Sequence, residues 1–244
     1  MRYYRATIAY DGTDFLGFQI QARGRTIQGT LEQTLAKIAK KPVRIVGAGR
    51  TDTGVHASGQ VIGFALDWRH ASSTLQTALN VILPSDIAVV EVAETTEEFH
   101  PRFSAVSRQY RYTVLNQATR DVFKNRYSMF VSKPLDLSAM QRASGYLLGE
   151  HDFAAFGRPP QGDNTVRTVL QAEWSKQGLE YFFEITANAF LYRMVRNIVG
   201  TLLEVGTGNL TSEAVSRILA SKERSQAAPP VLPNGLCLVK VNYV

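Results

Sequence analysis

Cysteine is almost missing. The 244 residues hold one, Cys237, so no intrachain disulfide can form and a reducing compartment such as the cytoplasm fits. Histidine is scarce as well. His56, His70, His100 and His151 have no metal-ligand spacing with one another or with the cysteine, so no metal is expected. No apolar run reaches the ~18 residues that a membrane-spanning helix needs. Met1 to Asp11 alternates as a strand does and lacks the apolar stretch of a secretion signal. Nucleotide fingerprints are missing too. In the glycine-rich stretch from Gly47 to Gln60, a phosphate loop would need Gly at 52 and Lys at 53, where Asp52 and Thr53 stand. A dinucleotide fingerprint also needs Gly at 52. A nucleophile elbow around Ser58 would need Gly where His56 stands. No cofactor is expected.

What remains is an ordinary globular chain. Hydrophobic residues make up 45% and charged residues 20%, which excludes a disordered protein. Domains typically hold about 100–200 residues, so one large or two modest ones are expected. The formal charge is +6, and it is uneven: residues 1–104 carry a net +1 and residues 105–244 a net +5. A basic field of this kind favours a polyanion such as nucleic acid, although many enzymes simply carry a solvated basic surface.

Periodicity and turn signals divide the chain. Arg2 to Tyr10 reads as a strand ended by Asp11-Gly12. A polar, glycine-rich loop containing Arg23 and Arg25 precedes a helix from about Thr26, with Ile27, Leu31, Leu35 and Ile38 on one face and Pro42 as its stop. Val43–Val46 and Gln60–Leu66 read as strands. Ser72 or Ser73 is expected to cap a helix through Leu79, and Ile87–Val92 is strand-like again. A second unit is expected from residue 105, giving domains 1–104 and 105–244. It contains a strand at Tyr110–Leu115, a helix capped by Asp136, strands at Val166–Trp174 and Tyr181–Ala187, and a long apolar helix from about Phe190 to Val205. A short helix after Thr211 and a closing strand, Leu236–Val244, complete it. Arg2, Tyr4, Arg5, Thr7 and Ile8 echo Arg108, Tyr110, Arg111, Thr113 and Val114, which supports two similarly built halves. Strands and helices mix without strict alternation, so an α+β fold with antiparallel sheet is expected.

The stretch Gly47–Gln60 carries the chemistry. It places a carboxylate, Asp52, in a tight glycine-permitted loop beside Arg50, Thr51 and Thr53. An aspartate held by a neighbouring arginine stays ionised and can act as a nucleophile. Alternatively Asp52 merely stabilises a turn, as aspartates often do. His56, four residues on, reads as a hydrogen-bonded structural partner rather than a ligand.

Gly49-Arg50-Thr51-Asp52-Thr53-Gly54-Val55-His56-Ala57 resembles the signature loop of the tRNA pseudouridine synthase A family. The likeness runs on through Tyr10-Asp11-Gly12-Thr13 with Phe15, Gly17 and Gln19, through Phe99–Ala105, Arg108–Tyr112, Gly149–Phe153 and Phe190–Gly200, and into Gly235–Leu238, in the family's order. The resemblance implies two ferredoxin- or RRM-like α+β halves, with antiparallel sheets joined into one continuous sheet flanked by helices and an active-site cleft between them. It implies conversion of uridine to pseudouridine at positions 38 to 40 of the tRNA anticodon stem-loop, without cofactor or metal, by a cytoplasmic homodimer.

The same resemblance assigns roles. Asp52 matches the nucleophile and Tyr110 the active-site tyrosine, which can stack on uracil and help move a proton. Arg196 matches the arginine that pairs with the aspartate, with Arg193 as rival. Arg50 matches the residue that helps extrude the base, since a stacked, paired uridine cannot rearrange. Residues 102–133 hold seven basic groups and one acid, interleaved with aromatics, a mixture that grips phosphates and stacks bases. Arg102, Arg108 and Arg111 there, with Arg23 and Arg25, are expected RNA contacts. An amphipathic strand pair with a charged outer face would carry the same residues. Two other readings fit parts of the pattern: a non-catalytic RNA-binding module, which the missing RRM consensus disfavours, and a small-molecule enzyme with a carboxylate base.

Overall fold

In the computed structural model, which describes residues 1–244, strand β1 (Arg2–Tyr10) buries every second side chain: Tyr4, Ala6, Ile8 and Tyr10. It runs antiparallel between β3 (His56–Leu66) and β4 (Ile87–Thr95). A short β2 (Ile45–Gly47) pairs with the far part of β3. Helix α1 (Ile27–Ala39) begins where Thr26 Oγ1 accepts from Gly29 N at 3.2 Å. It ends at Lys40, which takes a left-handed φ of 55° two residues before Pro42. Helix α2 (Ser72–Ile82) has Ala71, not a serine, at its cap. The Ala71 carbonyl takes the Thr74 and Leu75 amides instead of a hydroxyl doing so. This helix continues three residues past the expected Leu79, until Pro84 follows it.

Two differences from the sequence expectation shape this unit. β3 starts at His56 rather than Gln60, because Ala57 already pairs with Tyr10 of β1. The strand β10 (Leu236–Tyr243) lies parallel to β3, with Cys237 opposite His56 and Leu238 opposite Ala57. The chain therefore divides into Met1–Val106 with Cys237–Val244, and Ser107–Leu236. The closing strand belongs with the first unit, not with residues 105–236. Gly59 lets the two strands meet, since a Cβ there would sit 2.1 Å from the Val239 carbonyl oxygen.

In the second unit β5 (Ala105–Asn116), β9 (Glu180–Ala187), β8 (Val166–Gln177) and β7 (Gly149–Asp152) pair antiparallel in that order. The three-residue β6 (Met129–Val131) lies parallel to β5. Both units are α+β, but the parallel pairs β10–β3 and β5–β6 make their sheets mixed rather than purely antiparallel. β6 and β7 are too short for periodicity to reveal. Helix α3 (Leu137–Gly145) packs on β8, on α4 (Met194–Gly206) and on α5 (Ser212–Ser221). Gly149 opens β7 with φ 95°.

Helix α4 starts at Met194, four residues later than expected. Tyr192 N donates to Arg158 O at 2.8 Å, which holds that residue in a strand-like bridge. Arg193 then turns into the helix with a left-handed φ of 60°. The helix itself is buried nearly all round, including its polar Asn197 and Thr201. No helix of the chain is long and apolar enough to cross a membrane.

Asp136 Oδ1 accepts from Ala139 N at 2.9 Å and caps α3. Asp136→Ala is expected to cost about 1 kcal/mol. Calorimetry should show a melting temperature roughly 2–4 °C lower.

Candidate active site

The turn bearing Asp52 is built by the chain on both sides of it. Asp52 O accepts from Val55 N at 3.1 Å, and Gly54 takes φ 78°, the left-handed value a type II turn requires in its third position. Asp52 is half-buried and Arg50 exposed. Thr51, between them, is 7% exposed and held at two points. Its hydroxyl lies 2.9 Å from the Tyr10 hydroxyl, and its carbonyl accepts from Phe18 N at 3.1 Å. Gln60, fully buried in β3, donates Nε2 to Gly49 O at 2.9 Å and fixes the other shoulder of the loop.

The segment after β1 is shaped to this loop. A Cβ on Gly12 would stand 2.0 Å from Val55 O. Gly17 has φ 88°, and a Cβ there would be 2.8 Å from Thr51 O. Gly12 N donates to His56 Nδ1 at 3.1 Å, and Asp11 Oδ1 lies 3.2 Å from the same nitrogen. The His–Asp pairing weighed for Asp52 is thus made by Asp11. Burial pushes the Tyr10 phenol far above its usual range, so its hydroxyl keeps its proton at any physiological pH. These contacts leave the backbone around Asp52 little freedom, and a nucleophile must be held in that way to be effective.

The expected site residues of the second unit lie on β5 and around the start of α4. Tyr110 faces Ile185 across the sheet and meets Phe190 edge-on, with ring centroids 5.0 Å apart at 84°. It is half-exposed, on the same face of β5 as the buried Tyr112 and Val114. Arg108 shares that face and donates Nη1 to Asn188 O at 2.9 Å. Arg111 points to the opposite face, where its Nε donates to Glu184 Oε1 at 2.9 Å. The basic-aromatic stretch is therefore not one surface.

Arg196, in the first turn of α4, donates Nε to Val231 O at 2.8 Å and accepts from Val231 N at 3.2 Å. Tyr112, whose phenol burial pushes up, donates to Leu232 O at 2.7 Å, so the same strap is held at adjacent residues. Arg193 does not share a helical face with Arg196. It precedes the helix, with its guanidinium 4.9 Å from the centre of the Tyr192 ring.

The remaining arginines differ in how tied they are. Arg25 forks onto both oxygens of Asp86, at 2.6 and 2.8 Å, and lies 4.1 Å over the Phe15 ring, so it braces its loop. Arg23 is exposed beside Gly24, whose φ is 87°. Arg102 is exposed and lies 5.5 Å over the Phe103 ring. Sequence reasoning passed over Tyr10, Thr51 and Gln60 as supports of Asp52. A signal existed for one of them: Gln60 opens an otherwise apolar run, Val61 to Leu66, and an amide there needs a specific partner.

Removing the Tyr10 hydroxyl leaves that of Thr51 buried without its partner. Tyr10→Phe is expected to cost about 1–2 kcal/mol. Urea unfolding measures it, and an unchanged midpoint would mean that the bond contributes nothing to holding the loop.

A model of the tRNA pseudouridine synthase family matches residues 6–104 and 143–244. The tRNA pseudouridine synthase A of Halalkalibacterium halodurans is 46% identical over 231 residues, covering 94% of this chain and 88% of that protein. That of Moorella thermoacetica is 43% identical over 244 residues, covering 98% of each. That of Exiguobacterium sibiricum is 40% identical, covering 100% of this chain and 97% of the relative. A glycine-turned aspartate loop of this build, in a chain alike from end to end, places the protein in that family: it is a tRNA pseudouridine synthase family member.

Proposed function

We propose that this chain isomerises uridine to pseudouridine at positions 38 to 40 of the tRNA anticodon stem-loop, with Asp52 as the nucleophile. The enzyme class, an isomerase acting on tRNA uridines, comes with the family. The reaction breaks the bond from uracil N1 to ribose C1′ and makes one from C5 to C1′. C5 gives up a proton and N1 gains one, so atoms and electrons balance without oxidant, reductant or energy donor. A carboxylate serves this chemistry by adding to C6 of the uracil or by attacking C1′, and either route ends with the carboxylate released.

The observation that carries the reading is the bracing of Asp52: the preceding residue is anchored by both its hydroxyl and its carbonyl, and the following turn is closed by Gly54. Arg196 is taken as the positively charged partner of the nucleophile. Tyr110 stacks on the extruded uracil, and its hydroxyl assists removal of the C5 proton. Arg50 helps bring the target base out of its stack, which this chemistry requires. Arg23, Arg102, Arg108 and Arg193 hold the RNA backbone, while Arg25 and Arg111 are engaged by Asp86 and Glu184. The working enzyme is a cytoplasmic homodimer, with one tRNA touching both subunits.

Asp52→Ala is expected to abolish pseudouridine formation in an unmodified tRNA transcript, read by mass mapping, while filter binding shows tRNA affinity retained. Residual turnover at the wild-type rate would remove Asp52 from the chemistry. At Tyr110 two substitutions separate ring from hydroxyl. Tyr110→Ala should lose roughly 1–3 kcal/mol of base stacking and weaken binding. Tyr110→Phe should keep affinity and lower kcat alone.

A further inference from the structure

Asn197, 1% exposed in the first turn of α4, ties together three stretches of the second unit. Its backbone N donates to Arg193 O at 3.0 Å. Its Nδ2 donates to Phe156 O at 2.6 Å, and its Oδ1 accepts from Arg224 Nη2 at 2.6 Å. Two residues beyond Phe156, Arg158 O receives the Tyr192 amide at 2.8 Å, next to Arg193. Gly157 allows this approach, because a Cβ there would be 2.9 Å from Tyr192 O. One buried amide thereby gathers Arg158, Arg193 and Arg224, residues that the chain separates widely.

All three arginines are exposed, and none is paired to a carboxylate. Asp152 is engaged with Thr165 and with Lys222, and Glu223 with Gln226. Like charges collected without a counter-ion repel, and the fold tolerates them where an anion completes the set. Burial, and then the charges of Arg158 and Arg193, hold the Arg224 guanidinium below the usual arginine range, which is the electrostatic mark of that crowding.

We infer that Arg158, Arg193 and Arg224 form a binding site for a backbone phosphate of RNA. This deepens the reading of the chain as a tRNA-modifying enzyme and rests on it for the identity of the RNA. Guanidinium forks match phosphate oxygens in pairs. Tyr192, 44% exposed beneath the Arg193 guanidinium, adds an aromatic face that a nucleotide can use and a free inorganic phosphate cannot. Arg158 and Arg224 thereby join the substrate-binding residues.

The test uses the full chain and an unmodified tRNA transcript, with dissociation constants measured by filter binding from about 50 to about 300 mM KCl. Arg158→Gln/Arg224→Gln is compared with Lys37→Gln/Lys41→Gln, which removes the same charge from exposed positions near the end of α1. Arg158→Gln alone serves if loss of the Arg224–Asn197 bond lowers the melting temperature. The arginine variants should bind roughly tenfold more weakly near physiological salt, with a log–log slope smaller by about one per phosphate lost. kcat at saturating tRNA should be unchanged. Binding and slope equal to those of the lysine variant would overturn the site. Thermal stabilisation by millimolar inorganic phosphate that Arg158→Gln abolishes, with tRNA binding intact, would overturn the RNA assignment in favour of a free phosphate. Wild-type protein that shows the arginine-dependent slope yet forms no pseudouridine would sink the proposed activity and leave the phosphate site standing.

Discussion

The hydroxyl of Tyr10 against that of Thr51 is the contact on which the site depends. It joins the end of a central strand to the residue before Asp52, in a place that water does not reach. Around it the glycines act by absence: Gly12 and Gly17 carry no Cβ because the Asp52 loop already occupies the space. A carboxylate at the tip of an ordinary surface loop would sample many positions and lose reactivity with each. Here the residues before it are bonded to side chains of β1 and β3 and the turn after it is closed by the Val55 amide, so the entropy of placing the carboxylate is spent during folding.

The second unit solves a similar problem with a helix. α4 is buried along most of its length, and its one arginine, Arg196, lies in its first turn. Arg196 is steadied through its Nε by the Val231 carbonyl, on a strap that Tyr112 also holds. Arg193 stands before the helix in a left-handed conformation that side chains rarely adopt, which directs it away from the helical face. Asn197 satisfies its buried amide by bonding to two other segments, so the polar group that the core cannot leave unpaired also organises the basic surface beside it.

Much of this was legible in the sequence, and what was not has a common cause. Local signals held: the alternation in Arg2–Tyr10, the start of a helix at about Thr26 and the Asp136 cap. The aspartate loop stood out by its glycines and lone carboxylate, but those residues alone fit a structural turn as well, and the role of Asp52 came with the family resemblance. Non-local effects escaped. The apolar spacing from Leu191 to Leu202 is seamless, and nothing in it reveals that the bridge from Tyr192 to Arg158 delays the helix to Met194. Arg25 reads as an RNA contact until Asp86, 61 residues away, takes both ends of its guanidinium. β10 looks like the last strand of the second unit, but its partner is β3.

The most direct measurement of the central claim is the release of tritium from a tRNA transcript labelled at uracil C5, followed in a single turnover with Asp52→Glu. The substitution keeps the charge and shifts the carboxylate by one methylene, so it tests position alone. Because misplacing a reacting group by about 1 Å can cost on the order of 100-fold, a fall of at least that size is predicted. Release within a few-fold of the wild type would contradict a nucleophile whose placement the fold dictates.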